Sequence, residues 1–260
     1  VDAVYISTLN NTHFDLIKAS IQNNKKILCE KPFVLNLTEA NEIKKLIDNK
    51  KIFFFEAIAY RSHPQTKEIL KLIQDDVIGS IKKIEASFGF KVRKVKKDSR
   101  LFNKDFGGGA ILDLGCYPIS FMQLFDEDKN KYDIIDQKNS LAVTGVDDHA
   151  EMKCLINKKI EVILKVSLKE NLSNNCIVYG SKGNLIIPQP WLPQQKTYLE
   201  IYENDRYFKK FIQSEKSIYA YQIEVVSNIF LDKNPQIEKN LINIDKSLVI
   251  MDFLEKWKKN

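Results

Sequence analysis

The sequence predicts an α/β protein, with a partial Rossmann-type parallel sheet followed by an α+β domain that holds a large, mostly antiparallel sheet. Short apolar runs alternate with helical patterns over residues 1–58, and strand-like runs follow one another after residue 80. The most informative stretch is Lys26–Pro32, where a short apolar run that fits a buried strand ends in an acid, a base and a proline. We therefore expect a dinucleotide-binding half-domain at 1–58 and a second domain at 59–260.

The first region predicts three parallel strands joined by two helices. Its strands are expected at Val1–Ser7, Ile27–Cys29 and Ile52–Glu56, and its helices at His13–Asn23 and around 40–49, with Thr38 as a cap. This βαβαβ unit is half of a doubly wound domain, so we expect the other half upstream of Val1.

The sequence of the second region predicts a different order of helices and strands. A helix over His63–Gln74 precedes a long alternating strand at Ile81–Lys91, a polar loop at 94–106 and one apolar helix from Ala110 to Phe125. Further strands are expected at Tyr132–Gln137, Ser140–Val146, Ala150–Ile156, Glu161–Ser167, Cys176–Gly180 and Asn184–Ile187, and closing helices at Ile218–Leu231 and Ile244–Trp257.

Composition excludes several classes of protein. The 260 residues are 44% hydrophobic and 28% charged, and no apolar run reaches the roughly 18 residues that a membrane helix needs. The net charge of +6 comes mainly from lysine, which argues against a nucleic-acid partner. Four widely spaced cysteines indicate a reducing compartment and no metal site, so we expect a cytoplasmic protein.

Two stretches carry the chemistry. Pro32 ends a strand, so Glu30 and Lys31 lie at its carboxyl end, where α/β sheets bind ligands, although a solvated lysine in a loop would have the same sequence. Three glycines at 107–109 open a helix on which Asp113 and Tyr117 share a face. A lysine near a tyrosine lowers the phenol's pKa and suits proton transfer in hydroxyl–carbonyl interconversion. The alternative is a glycine-rich loop with a merely buried tyrosine.

Together these motifs resemble the Gfo/Idh/MocA family, and most of all the branch with dimeric dihydrodiol dehydrogenase and D-xylose dehydrogenase. The segments that carry the resemblance are Glu30-Lys31-Pro32, Tyr60-Arg61-Ser62-His63-Pro64, Gly107–Pro118, Tyr179–Gly183 and Ile186–Trp191.

The resemblance implies NAD or NADP as cofactor and a small carbohydrate-like substrate. It implies catalytic roles for Lys31, Tyr117 and Asp113, and cofactor contacts from Thr8, Asn10, His13, Glu30, Lys31 and Arg61. Substrate contacts are expected from Asp113, Arg100 and Trp191, whereas His63 and His149 are expected to be structural.

One departure is plain, because none of the nine glycines forms the Gly-x-Gly-x-x-Gly fingerprint after a strand. We therefore expect the 260 residues alone to bind cofactor poorly.

Three functions stay open: a dehydrogenase, a relative that cleaves glycosides through transient oxidation, and a non-catalytic dimerisation module. We also expect a homodimer through the exposed face of the second sheet. The apolar row Val162, Leu164 and Val166 is interpreted as core rather than interface.

Overall fold

The first sheet is built around three short parallel strands. The computed structural model describes residues 1–125, 132–204, 206–231 and 239–259. Strands β1 (Ala3–Ile6), β2 (Lys26–Glu30) and β3 (Phe54–Ala57) lie side by side in that order, which confirms the parallel βαβαβ unit. Helices α1 (His13–Gln22) and α2 (Leu37–Lys50) connect them.

The cap of α2 differs from the prediction. Asn36 Oδ1 accepts a hydrogen bond of 2.9 Å from the backbone N–H of Glu39, so Asn36 is the N-cap. Thr38 lies inside the first turn, and its predicted capping role is wrong. An amide side chain one residue before the helix satisfies an otherwise unpaired N–H group.

The second sheet has eight described strands in the order β11-β10-β9-β8-β4-β7-β6-β5. Only the β4–β7 pair is parallel, which confirms a mostly antiparallel sheet. The strands are β4 (Ile81–Gly89), β5 (Tyr132–Leu141), β6 (Asp147–Ile156), β7 (Ile160–Ser167), β8 (Cys176–Gly180), β9 (Gly183–Ile187), β10 (Lys196–Glu203) and β11 (Arg206–Gln213).

The sequence prediction for this sheet is corrected in two places. The runs at Tyr132–Gln137 and Ser140–Val146 form one strand, β5, followed by a turn, and the hairpin β10–β11 was not predicted. Seven of the eight β11 residues are exposed, so their burial does not alternate and the strand has no periodic signature.

The predicted apolar helix Ala110–Phe125 is divided by Gly115 into α4 (Ala110–Leu114) and α5 (Cys116–Met122). A Cβ at residue 115 would lie 2.5 Å from the Ile111 carbonyl and 2.9 Å from Leu254 Cδ2. The glycine therefore lets this break pack against α7 (Ile244–Lys258).

The closing segment returns to the first sheet. The remaining helices are α3 (Pro64–Gln74) and α6 (Ile218–Phe230), after which β12 (Ile242–Asn243) pairs antiparallel with β3 and leads into α7. One apolar core includes residues from both sheets, so the two sheets are packed around shared helices. None of the described helices is both long and apolar enough to cross a membrane.

The large sheet has one apolar and one charged face. Val162, Leu164 and Val166 are fully buried, which confirms their interpretation as core. The opposite face carries ion pairs such as Lys153–Glu161 (2.8 Å) and Glu151–Lys165 (3.0 Å). Glu151, Lys153 and Lys165 from these pairs line a depression of about 570 Å³.

Candidate active site

Lys31 connects the end of β2 with helices α4 and α5. Its Nζ donates to the Asp113 carbonyl at 2.7 Å and lies 3.2 Å from Asp113 Oδ1. The same ammonium lies 5.1 Å from the centre of the Tyr117 ring. The structure thus brings together Lys31, Asp113 and Tyr117, the three residues expected to be catalytic.

Asp113 is held as a carboxylate by two cations. Arg100 Nη1 lies 2.7 Å from the same Oδ1 that faces Lys31, and the Asp113 side chain is 6% exposed. Burial alone would raise the pKa of Asp113, but Lys31 and Arg100 outweigh it and lower the pKa below its ordinary value. Burial would likewise lower the pKa of Lys31, but Tyr117 and Asp113 raise it on balance.

Tyr117 lies in an aromatic cluster. Its ring centroid is 5.1 Å from Phe88, 6.3 Å from Trp191 and 6.4 Å from Tyr60. Burial raises the pKa of the Tyr117 phenol, and the Lys31 charge offsets only part of this increase. The expectation that Lys31 brings this pKa below its ordinary value is therefore wrong, because desolvation is the larger effect. The neutral phenol is suited to donate a proton.

The glycines before α4 allow a carboxylate to approach its first turn. Asp147 Oδ2, at the start of β6, accepts a hydrogen bond of 2.6 Å from the Ile111 N–H. Gly109 has a φ of +122°, and a Cβ there would collide with the Asp147 carboxylate. Asp147 thus satisfies the start of the helix that carries Asp113, with an anion at its positive end.

His13 joins the two loops that follow β1 and β2. Its Nδ1 is 3.0 Å from the Pro32 carbonyl, its Nε2 is 3.2 Å from the Thr8 carbonyl, and the residue is fully buried. This environment favours a structural role over the expected contact with a cofactor.

The other polar residues of these loops are more accessible. Thr8 Oγ1 and Thr12 Oγ1 lie 2.6 Å apart, and Asn10 lies against Gly107. At the end of β2, Glu30 accepts a hydrogen bond of 2.5 Å from the Tyr5 hydroxyl. Thr8, Asn10 and Glu30 therefore line the carboxyl edge of the first sheet beside Lys31.

Arg61 and Trp191 are both buried. The Arg61 guanidinium donates to the carbonyls of Asn240 (2.6 Å) and Ser120 (2.7 Å) and is 1% exposed, which argues against the expected cofactor contact. Trp191 donates from Nε1 to the Ser87 carbonyl at 2.8 Å and packs beside Tyr117, so it supports one wall of the site.

The two other histidines are structural, as expected. His63 caps α3, with its ring accepting from the Gln65 N–H at 3.1 Å, and His149 lies in β6 between Glu151 and Glu170.

Two buried carboxylates near the site escaped the sequence analysis, Asp147 and Glu56. Glu56 Oε1 accepts a 3.2 Å hydrogen bond from the N–H of Phe33, two residues after Lys31, and burial raises the pKa of Glu56 to about 7. The signal for Glu56 was an acid inside an otherwise apolar strand.

The residues at this edge fit the nicotinamide end of a dinucleotide. Lys31 and Glu30 offer charged groups at a strand end, and Gly107 brings its backbone close to Asn10, whose Cβ would lie 3.5 Å from a Cβ at residue 107. Glu30, Lys31, Thr8 and Asn10 are the residues that would hold it.

Comparison with known proteins gives two matches to models of one family. Residues 1–57 match the oxidoreductase family with an NAD-binding Rossmann fold, and residues 66–186 match the GFO/IDH/MocA C-terminal domain.

Named relatives share part of their length with this chain. A trans-1,2-dihydrobenzene-1,2-diol dehydrogenase of Xenopus tropicalis is 31% identical over 194 residues, which cover 74% of this chain and 58% of that protein. A D-xylose 1-dehydrogenase (NADP(+)) of Hypocrea jecorina is 30% identical over 167 residues, or 59% of this chain and 42% of the relative. The matches thus span 58% of the length of the first relative and 42% of the length of the second.

Solved structures share the fold. An aldose-aldose oxidoreductase from Caulobacter crescentus superposes with a TM-score of 0.86 at 18% identity, over 99% of this chain and 76% of the other. A 3-ketoreductase from Actinomadura kijaniata, solved with NADP and TDP-benzene, gives a TM-score of 0.84 at 20% identity, over 100% and 77%.

Proposed function

Because the chain belongs to the Gfo/Idh/MocA family of oxidoreductases, we propose that it forms the nicotinamide-end and substrate site of an NAD(P)-dependent dehydrogenase or reductase. The reacting group is a hydroxyl or carbonyl of a sugar, polyol or diol. The observation that carries the proposal is the convergence of Lys31, Asp113 and Tyr117 at the carboxyl end of β2.

In this proposal Tyr117 moves the proton. A bound nicotinamide supplies or accepts the hydride at the reacting carbon. In the direction of reduction, the neutral Tyr117 phenol donates its proton to the substrate oxygen, and the Lys31 ammonium stabilises the phenolate that remains. In the direction of oxidation the same proton returns to the phenolate.

Asp113 and Lys31 then set the orientation of the substrate. A carboxylate accepts hydrogen bonds only, so Asp113 would bind a hydroxyl next to the reacting carbon. Its two cationic partners keep it charged and fix its position. Asp147 supports this geometry from beneath α4.

Cofactor binding by these 260 residues is expected to be weak. The phosphate cradle Gly-x-Gly-x-x-Gly does not occur in the chain, so the residues present would hold the nicotinamide end and leave most of the diphosphate contacts unmade.

We further propose a homodimer formed through the charged face of the large sheet. Support comes from the ion pairs and the depression on that face, which offer complementary charges to a second copy. Sedimentation of a pure monomer at about 50 μM, well above the dissociation constants of stable dimers, would refute it.

A cytoplasmic location is also proposed, since all four cysteines are free and buried.

The first test is fluorescence titration with NADH and NADPH. A longer chain that adds the upstream half of the dinucleotide-binding domain, with its glycine-rich turn between strand and helix, should bind either cofactor more tightly than the 260 residues alone. Substrate screening would follow, with Tyr117→Phe expected to lower the catalytic rate by roughly 10²- to 10⁴-fold. The control is Tyr179→Phe, which changes a tyrosine of β8 that pairs with Lys83 near the start of β4.

Two results would point elsewhere. Glycoside cleavage without net change of free cofactor would favour the glycosidase alternative. No binding of either cofactor by either form would leave the dimerisation module.

A further inference from the structure

The loop between β4 and α4 carries most of the net charge of the protein. We define the basic loop as residues 91–105. Its two acids are Asp98 and Asp105, and its seven cations are Lys91, Arg93, Lys94, Lys96, Lys97, Arg100 and Lys104. The basic loop therefore holds five of the six net positive charges of the chain.

Six of these seven cations form no ion pair with a described residue, unlike many lysines elsewhere. On the charged face of the large sheet, Lys83 pairs with Glu85 at 2.6 Å, and similar pairs are repeated along the strands. In the basic loop, Arg100 is the one cation with an ion pair to a described residue. Lys91, Arg93, Lys94, Lys96, Lys97 and Lys104 are exposed. A cluster of like charges without counterions creates a positive potential that attracts anions.

Both ends of the basic loop are fixed at the candidate active site. Phe88, just before it, packs on Tyr117, and Val92 donates to the Leu168 carbonyl at 2.9 Å. At the other end, Gly109 donates to the Leu101 carbonyl at 2.9 Å. Arg100 reaches Asp113 directly. The positive potential is thus held beside the residues proposed to carry the chemistry.

We propose that the substrate carries a phosphate or diphosphate group in addition to its reacting hydroxyl or carbonyl, and that the basic loop binds this group. This inference rests on the proposed function and narrows its substrate class from carbohydrates in general to phosphorylated ones. Six exposed cations exceed what a single carboxylate would need, whereas a phosphate offers three oxygens and up to two charges.

Two probes distinguish the possible sources of the phosphate group. D-Glucose 6-phosphate represents a sugar monophosphate and UDP-glucose a nucleoside-diphosphate sugar, with D-glucose as the neutral match and inorganic pyrophosphate as the anion alone. Each is titrated by calorimetry into the full 260-residue chain at low and at moderate salt. This readout requires no cofactor, so it is independent of hydride transfer.

The variant removes four charges together, by Lys91→Gln, Lys94→Gln, Lys96→Gln and Lys97→Gln. Its control removes four exposed lysines elsewhere, by Lys45→Gln, Lys71→Gln, Lys82→Gln and Lys159→Gln. We expect one phosphorylated sugar to bind more tightly than glucose and pyrophosphate, and the loop variant to lose roughly tenfold or more in that affinity. The control should retain it, and added salt should weaken the wild type more than the loop variant.

Several outcomes would overturn the inference. They are binding of glucose as tight as that of its phosphate, no binding of either phosphorylated sugar, equal binding of pyrophosphate, or an equal loss in the control. If the loop variant weakens NADPH binding but not sugar phosphate binding, the cations serve the cofactor and the inference also fails. Retained sugar phosphate binding by a chain that binds no NADH in any form would refute the proposed dehydrogenase and leave the phosphate site standing.

Discussion

Two buried carboxyl groups, those of Asp113 and Glu56, lie close to the segment that carries Lys31. Their pKa values are shifted in opposite directions. Around Asp113, Lys31 and Arg100 supply positive charge, and the pKa falls below its ordinary value. Around Glu56, the side chain accepts one backbone N–H bond from Phe33, and the pKa rises to about 7. Both carboxyls are at least 94% buried, so the difference lies in their partners.

The opposite pKa shifts suit the different tasks of Asp113 and Glu56. A carboxylate that must accept hydrogen bonds from a substrate needs cations to keep it ionised in a buried site. A carboxyl that only holds the backbone after Lys31 can do so in either protonation state, because the oxygen that faces Phe33 accepts in both.

The largest expected effect comes from removing the shared cation. Lys31→Met should lower the catalytic rate by about 10³-fold, since the phenolate of Tyr117 and the carboxylate of Asp113 would both lose their charge partner. It should also raise the pKa of Asp113, which carbon-13 NMR of the carboxyl group can follow. Lys45→Met, an exposed residue of α2, is the control. An unchanged Asp113 pKa would show that Arg100 alone keeps it charged.

Glu56→Gln should change the pH dependence of stability. With a folded pKa of about 7 and an ordinary pKa of 4.5, the carboxyl stabilises the folded state when protonated, so this contribution is lost as pH rises from 4.5 through 7. The glutamine keeps the acceptor for Phe33 but does not titrate. The variant should therefore gain roughly 1–3 kcal/mol over the wild type between pH 5 and pH 8 in urea unfolding. A difference that stays constant with pH would contradict the assigned pKa.

A buried base should behave in the opposite way. Burial without an acidic partner lowers the pKa of His63 to about 4, so its contribution is complete above 6.5 and is lost as pH falls towards 4. His63→Asn can still cap α3 and should lose a few tenths of a kcal/mol at pH 8. At pH 5 it should gain about 1 kcal/mol relative to the wild type, as urea unfolding can measure. No relative gain on acidification would mean that His63 protonates without cost.

Those parts of the site could be predicted whose residues lie close together in the sequence. Lys31 follows a strand that a proline ends, and Asp113 and Tyr117 are four residues apart after a run of glycines, so their proximity to the sheet edge was accessible. Asp147 and Glu56 act through partners that are distant in sequence. Asp147 of β6 accepts from Ile111 of α4, and Glu56 of β3 accepts from Phe33, which follows the neighbouring strand β2. Such pairings depend on the register between elements, which local patterns do not contain.

The direction of the pKa shift of Tyr117 was predicted wrongly for a related reason. Proximity to Lys31 was predicted from the chain, but desolvation depends on Phe88, Trp191 and Tyr60, which come from separate elements. Strand β11 was not predicted for a different reason. Nearly all of its residues are exposed, and it lies at the edge of the sheet.

The smallest expected effect concerns the exposed cation of the Asp113 region. The Arg100 side chain is 54% exposed, whereas that of Lys31 is 13% exposed, so solvent screens the Arg100–Asp113 pair more strongly. Arg100→Gln should cost at most about 0.5 kcal/mol at pH 7 in urea unfolding, and this cost should shrink in high salt. As pH falls through the lowered pKa of Asp113, the carboxyl becomes neutral and the variant should approach the wild type. A loss above about 2 kcal/mol, the scale of a buried pair, would mean that Arg100 and Lys31 share the charge of Asp113 equally.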